Sequence, residues 1–275
     1  NVLQQFPIDK FGHNTAQTIH VMAETMKHAY ADRSEYLGDP DFYKVPVKQL
    51  TDKDYAQKIA SQIALNKTTP SEEIKPGNLA PYESDQTTHF SVVDKWGNAV
   101  SNTYTLNFSY GSGLVAKGTG ILLNNEMDDF SIKPGVPNMY GALGGEANAI
   151  QPGKRMLSSM TPTLVTKNNQ PYITIGTPGG TTIPNQVYEG LVNIIDHKMS
   201  LKAAIDAPRF HHQHMPDVVA VEADFPEQTI NSLKEKGYTI TKRGAFGRMD
   251  GVMILPNGNR VAAGDKRGDD SVAGY

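Results

Sequence analysis

The feature that most limits how this chain can fold is a change of texture at Thr87. Upstream, apolar residues recur at spacings of three and four, as in helices with one buried face; downstream, short β-branched runs alternate and return across turn formers, as in paired strands. Thr15 is placed to cap a helix whose face is Ile19, Met22, Met26, Ala29 and Tyr30, expected to end near Asp32. Thr51, followed by Asp54, opens a second helix through Tyr55, Ile59 and Ile63. Pro70, Pro76, Gly77 and Pro81 among Ser, Thr and Glu make residues 67–85 read as a mobile connector.

Past the connector, residues 89–94 and 99–106 form a hairpin around Lys95-Trp96-Gly97-Asn98. Residues 120–123 read as another buried run. Residues 163–166 and 172–175 make a second hairpin, and 251–255 with 260–263 a third. Between them lie a helix after Pro184 with Val187, Leu191, Ile194 and Ile195 on one face, and a short helix 201–205 capped by Ser200. Residues 218–222 alternate, and 230–236 are helical up to Gly237. Strand pairs, then helices, then strand pairs predict an α+β fold of antiparallel sheets with helices packed outside.

With 26 basic and 29 acidic residues the net charge is -3, which offers nothing to attract a nucleic acid or an anionic membrane surface. The absence of cysteine removes disulfides, thiolate metal sites and a Cys nucleophile. No apolar run reaches the length of a membrane span. The chain opens on Asn1 and not Met, so the expectation is either a processed or trimmed piece or a true start that lies upstream.

Chemistry is best sought at Gln86-Thr87-Thr88-His89-Phe90-Ser91-Val92-Val93, where two hydroxyls open a strand. Taken alone, these threonines read as ordinary strand residues. A Thr nucleophile needs a base, which its own α-amine supplies if the Gln86-Thr87 bond is cut. Four polar clusters follow, each where a turn breaks a strand. Thr103-Tyr104-Thr105-Leu106-Asn107 ends the strand that returns toward Thr87. Asn124-Asn125-Glu126-Met127-Asp128-Asp129-Phe130 presents carboxylates that either hold an ammonium group or cap a turn. Lys154-Arg155-Met156-Leu157-Ser158-Ser159 sets two hydroxyls beside two cations and suits a carboxylate ligand. Gly176-Thr177-Pro178-Gly179-Gly180-Thr181-Thr182 precedes a helix, and consecutive N–H groups in such a loop stabilise an anion. In His211-His212-Gln213-His214 three imidazoles cannot face one point on a helix, and structural hydrogen bonding is expected over a metal site.

These clusters, in this order, resemble the γ-glutamyltransferases (γ-glutamyltranspeptidases) of the N-terminal nucleophile hydrolase superfamily. The resemblance runs from Ala31-Asp32-Arg33-Ser34-Glu35-Tyr36-Leu37-Gly38-Asp39-Pro40 through Leu79-Ala80-Pro81-Tyr82-Glu83-Ser84, Thr87-Thr88-His89-Phe90, residues 123–130, Leu157-Ser158-Ser159-Met160 and Pro178-Gly179-Gly180 to Ala207-Pro208-Arg209-Phe210. It covers essentially the whole chain and selects the nucleophile reading of Thr87.

The resemblance implies a four-layer αββα sandwich and a precursor that cuts itself before Thr87. Residues 1–86 then match the last part of a large subunit and 87–275 a small, catalytic subunit. It implies that Thr87 is the nucleophile with its freed α-amine as base, that Thr105 hydrogen-bonds it, and that the N–H groups of Gly179 and Gly180 form the oxyanion hole. Asn107, Glu126 and Asp129 would hold the α-amino end of the glutamyl group, and Ser158 and Ser159 its α-carboxylate. Tyr140, in the glycine- and proline-rich stretch 134–145, would belong to a lid loop. The substrates implied are glutathione and other γ-glutamyl amides, with water, an amino acid or a peptide as acceptor, and no metal or organic cofactor. The family setting is periplasmic or extracellular.

The sequence departs from the family at Met156, Thr177 and Lys266, which touch loop geometry, and Glu126 is a residue that some members use in place of Gln. The family's large subunit also has a long region before anything matching Asn1, so that remainder is expected to be required. A cephalosporin or glutaryl acylase of the same superfamily, or an inactive truncated relative acting as a binding subunit, are the alternative readings.

Overall fold

Caps and tight turns divide the chain into short elements. The described residues of the computed structural model are 1–74, 87–136 and 143–274. In chain order they form helices α1 (Ile8–Phe11), α2 (Ala16–Tyr36), α3 (Val47–Leu50) and α4 (Lys53–Gln62), then strands β1 (Thr88–Val93), β2 (Ala99–Tyr104), β3 (Thr163–Lys167) and β4 (Gln170–Gly176). Helices α5 (Ile183–Ile195) and α6 (Leu201–Asp206) follow, then strands β5 (Phe210–His211) and β6 (Val219–Glu222), helix α7 (Glu227–Glu235), and strands β7 (Ile240–Arg243), β8 (Asp250–Ile254) and β9 (Arg260–Ala263). The fold is α+β. It divides into two compact units, one of Asn1–Glu83, Glu126–Ser158 and Phe210–Gly244, the other of Ser84–Asn125, Ser159–Arg209 and Ala245–Tyr275.

In the first unit Thr15 caps α2, its hydroxyl accepting from the Thr18 N–H at 3.3 Å. Ile19, Met22, Met26 and Tyr30 are buried as their spacing predicts, and the helix runs past Asp32 to Tyr36. It also buries Glu24 and Lys27 completely. Lys27 Nζ lies 3.1 Å from Glu24 Oε1 and 3.2 Å from Asp217 Oδ1, and donates to Thr68 Oγ1 and the Thr69 carbonyl. Glu24 accepts in turn from Thr68, the Thr69 N–H and Tyr238. Asp217 accepts from the Ser71 N–H at 2.8 Å, and His214 Nε2 lies 2.8 Å from the carbonyls of Ser71 and Ile74. Residues 68–74 are therefore pinned by buried charges, which corrects their reading as mobile connector; residues 75–85 lie outside the described residues.

Two further corrections are local. Helix α4 is capped by Asp52 and not Thr51, since the Asp52 carboxylate accepts from the N–H groups of both Asp54 and Tyr55, and an anion suits a helix N-terminus. Strand β6 pairs antiparallel with β5 but parallel with β7, because α7 carries the chain back across between them. The histidine run is hydrogen-bonded: His211 to Gln213 at 2.9 Å, His212 to Asp217 at 3.1 Å, and His214 to residues 71 and 74.

The second unit holds the expected hairpins. Asp94 closes the β1–β2 turn by accepting from the N–H groups of Trp96 and Asn98, and the left-handed pair Asn168 and Asn169 makes the β3–β4 turn. Strands β3-β4-β8-β9 form one antiparallel sheet. Ile173, Ile175, Met253 and Ala263 of that sheet pack with Val187, Ile194, Leu201, Ala204 and Ile205 of α5 and α6. The β1–β2 hairpin lies against β4 and β8, with Ser101 Oγ donating to the Ile175 carbonyl at 3.1 Å. The layers of this unit thus run helix, sheet, sheet. On its far side the hairpin leaves Phe90, Val92, Val100 and Tyr104 exposed. Residues 120–123 are not a buried strand: Ile121 is 61% exposed, and Leu122 makes only an isolated bridge with Val115.

Candidate active site

The register of the hairpin builds the first part of the site. Thr88 pairs with Tyr104, so Thr87 and Thr105 are the next rung, one residue beyond the last ladder pair. Their hydroxyls are 3.4 Å apart. Thr105 Oγ1 also accepts from the Asn107 N–H at 2.8 Å, a turn that requires Asn107 to adopt φ 73°, which Asn tolerates better than most residues. Asn107 is buried, and its Nδ2 donates to the Asn125 carbonyl at 3.2 Å.

One turn inward along the same strands sits His89, which the sequence reading did not assign. Its Nδ1 is 2.7 Å from Thr103 Oγ1 and its Nε2 is 3.1 Å from Ser91 Oγ. Its ring fills the space over Gly176, where a Cβ would come within 2.2 Å of it. Burial lowers the His89 pKa to about 4. Asp250 Oδ1 lies 3.8 Å from His89 Nε2, and burial raises that carboxyl to about 7 against the hydrogen bonds from Ser91.

Strand β4 ends at Gly176 and leads directly into the Gly179-Gly180 loop. Gly179 has φ 142° and Gly180 φ 55°, and a side chain on Gly179 would strike Gln186 Nε2 at 2.4 Å. Among the described residues neither glycine N–H has an acceptor. The loop is held from beneath by α5. Gln186 Nε2 donates to Thr182 Oγ1 at 2.5 Å, which donates to the Gly179 carbonyl at 2.7 Å. Gln186 Oε1 lies 3.2 Å from Thr177 Oγ1 and accepts from Arg209 Nη1 at 3.3 Å. Arg209 is buried and bonded to Asp265 and to the carbonyls of Ile205 and Phe246. Ser159 belongs to this unit too, its carbonyl accepting from Thr161 Oγ1.

Glu126, Asp129 and Ser158 belong to the first unit. Glu126 and Asp129 share one turn of 3-10 helix. Burial, and then the neighbouring Glu126 carboxylate, raise Asp129 to about 7 against the pull of Arg33; burial raises Glu126 as well. Asn148, 4% exposed, joins this turn to the residue before Ser158: its Nδ2 donates to the Asp129 carbonyl at 2.7 Å and its Oδ1 accepts from the Leu157 N–H at 2.9 Å. Arg155 is not directed to a ligand, as its place beside Ser158 had suggested. Its guanidinium and N–H hold Asp39 at 2.6 to 2.9 Å, and it also reaches Asp41. Tyr140 lies outside the described residues.

His89 was legible in principle, since it falls on the inward face of an alternating strand. Gln186 and Asn148 left no signal, because a lone amide in a helix or turn is indistinguishable from surface. Among the described residues no three His, Cys, Asp or Glu side chains are grouped to hold a metal ion, and no helix is long and apolar enough to cross a membrane.

The family model for gamma-glutamyltranspeptidase matches residues 1–275. The chain is 53% identical to the glutathione hydrolase proenzyme of Escherichia coli K12 over 276 residues, covering 100% of this chain and 48% of that protein. It is 54% identical to the glutathione hydrolase proenzyme of Pseudomonas sp. A14, over 81% of this chain and 39% of that one. The chain therefore spans about half the length of the curated relatives it matches. Among solved structures, the T380A mutant of the Helicobacter pylori gamma-glutamyltranspeptidase aligns at TM-score 0.65 and 48% identity over 66% of this chain and 100% of that one. A cephalosporin acylase from Bacillus halodurans aligns at TM-score 0.82 and 30% identity over 100% of this chain and 48% of that one.

Proposed function

Because the chain belongs to the gamma-glutamyltranspeptidase family, we propose that it is part of a self-cleaving proenzyme that transfers or hydrolyses γ-glutamyl groups of glutathione and related amides. The observation that carries the reading is the Thr87–Thr105 hydroxyl pair at the open end of the hairpin, with Asn107 folded back onto it. In self-cleavage Thr87 Oγ adds to the Gln86 carbonyl carbon, the peptide C–N bond breaks, and water hydrolyses the resulting ester. Residues 1–86 then end the large subunit and Thr87 begins the small one. Relatives called proenzymes support this step.

In turnover Thr87 Oγ attacks the donor's γ-carbonyl carbon and passes its proton to the freed α-amine. The oxyanion meets the N–H groups of Gly179 and Gly180, the amide C–N bond breaks, and the leaving amine takes the proton. Water, an amino acid or a peptide then attacks the ester and releases Thr87. Asn107, Glu126 and Asp129 serve the donor's ammonium and Ser158 and Ser159 its carboxylate, since a zwitterion needs both acceptors and donors. The remainder of the large subunit completes the enzyme, and the family setting outside the cytoplasm is the place to look for it.

The resemblance to a cephalosporin acylase over the whole chain favours a second reading, an acylase for donors that lack the α-amine. Intact mass and N-terminal sequencing of the purified protein, beside a Thr87→Ala control, test the first step. A new terminus at Thr87 in the parent alone is expected, and cleavage in the control would sink the assignment. Comparing γ-glutamyl and glutaryl anilides then separates transferase from acylase.

A further inference from the structure

We infer that Asn148 is the positioning residue that sets the spacing between the ammonium-binding and carboxylate-binding ends of the donor site. The inference rests on the γ-glutamyl reading. The donor's ammonium and carboxylate are attached to one carbon, so the groups that receive them are useful only at one separation. Asp129 and Ser158 lie far apart in sequence, and one side-chain amide spans the backbone next to both. Its Nδ2 donates to the carbonyl of Asp129 itself at 2.7 Å, and its Oδ1 accepts from the N–H of Leu157, the residue before Ser158, at 2.9 Å.

The orientation of this amide is fixed, because a carbonyl can only accept and an N–H can only donate. A planar amide bonded at both ends admits little play between the two backbones. Asn148 is also anchored in its own right. Its carbonyl accepts from the Ser131 N–H at 2.9 Å, its N–H donates to the Gly145 carbonyl, and its backbone lies against Gly38, where a Cβ would strike the Ala147 carbonyl at 2.1 Å. The Asp39–Arg155 bridge, at 2.6 Å, ties the chain just after Gly38 to the segment that leads to Ser158. No other described side chain bonds to the backbone of both Asp129 and Leu157.

The test is a comparison of donors in the full-length proenzyme. Three anilides are used: γ-glutamyl, glutaryl (no amine) and 4-aminobutanoyl (no carboxylate). The parent is expected to prefer the γ-glutamyl donor by about a hundredfold or more, because buried binding groups left unpaired penalise the truncated donors. In Asn148→Ala the KM for the γ-glutamyl donor should rise about tenfold with kcat held within about threefold. The truncated donors, which engage one end only and do not use the spacing, should change little. Asn148→Asp keeps the acceptor for Leu157 and sets a carboxylate oxygen, which cannot donate, against the Asp129 carbonyl, so the same narrowing of preference is expected if the alanine variant is too unstable to assay. Equal losses on all three donors, or an unchanged preference in both variants, would overturn the inference. A parent without preference for the γ-glutamyl donor would instead sink the γ-glutamyl reading, and this inference with it.

Discussion

The imidazole of His89 reaches across the hairpin to Thr103, Nδ1 to Oγ1 at 2.7 Å, and so ties the strand that follows Thr87 to the strand that leads to Thr105. The same ring rests on Gly176, three residues before Gly179. One side chain thus bears on both the pairing of the two threonines and the packing of the hairpin over the strand that leads into the Gly179-Gly180 loop. His89→Ala should lower kcat by about tenfold or more with a smaller change in KM, and Gly176→Ala, which pushes on the ring from below, should do the same. Steady-state kinetics of both variants check this; a loss confined to KM would contradict it.

Gln186 is the second support of that loop, bonded to Thr182 and held by Arg209. Gln186→Leu keeps the bulk and removes the bonds. The expected result is a fall in kcat of about tenfold to a hundredfold, below the full loss of an oxyanion donor, with donor KM little changed. Affinity for a boronic acid analogue that forms a tetrahedral anion on the nucleophile should fall by a similar factor.

If Asp129 receives the donor's ammonium as proposed, it supplies a pH dependence. Its carboxyl, raised to about 7 by burial and by Glu126, is increasingly protonated as pH falls from 8 to 6, and a neutral carboxyl holds an ammonium poorly. The KM for γ-glutamyl donors should therefore rise as pH falls through about 7. Glu126→Gln removes one of the raising charges, so a plot of KM against pH should show its inflection moved to lower pH.

Asp250 makes stability pH-dependent in the opposite sense to His89. A carboxyl raised to about 7 keeps its proton in the folded chain after the unfolded chain has lost it, so its contribution to stability falls as pH rises from its ordinary value of 3.8 to about 7. A histidine lowered to about 4 from 6.5 adds stability as pH rises across that interval. Asp250→Asn removes the first effect alone. Its unfolding free energy should exceed the parent's by about 1 to 2 kcal/mol at pH 8 and match it near pH 4, as read from denaturant melts.

The buried Lys27 holds Glu24 and Asp217 together from within α2. Lys27→Met leaves Glu24 buried without its counter-ion and should cost about 3 kcal/mol or more. Adding Glu24→Leu should recover part of that loss in a urea titration, since an apolar pair is tolerated where a lone charge is not.

Strong local signals in the sequence survived into the structure. The spacing of Ile19, Met22, Met26 and Tyr30 predicts the buried face of α2, and the alternation after Thr87 predicts β1 and β2 with their turn. Features decided by distant partners did not announce themselves. Residues 68–74 look like connector because their Pro, Ser and Thr content is that of a loop, yet Lys27, Asp217 and His214 come from far along the chain to hold them. Strand β7 is polar at Thr241, Lys242 and Arg243, and only pairing with β6 makes it a strand. Residues 120–123 are apolar enough for a core, but in this chain they face solvent. The candidate site follows the same division: Thr87 and Thr105 can be matched by counting along a hairpin, whereas Asn148 and Gln186 act through backbone atoms that no spacing rule reveals.

The β1–β2 ribbon described above has a practical side. Among the described residues its two strands form ladder pairs only with each other, and its open face carries Phe90, Val92, Val100 and Tyr104. Ribbons of that kind template their own association. Produced by itself, the chain should behave as a sticky colloid, its solubility falling with concentration. Polar substitutions at Val92 and Val100 would make it easier to handle without touching the threonines at the other end of the ribbon.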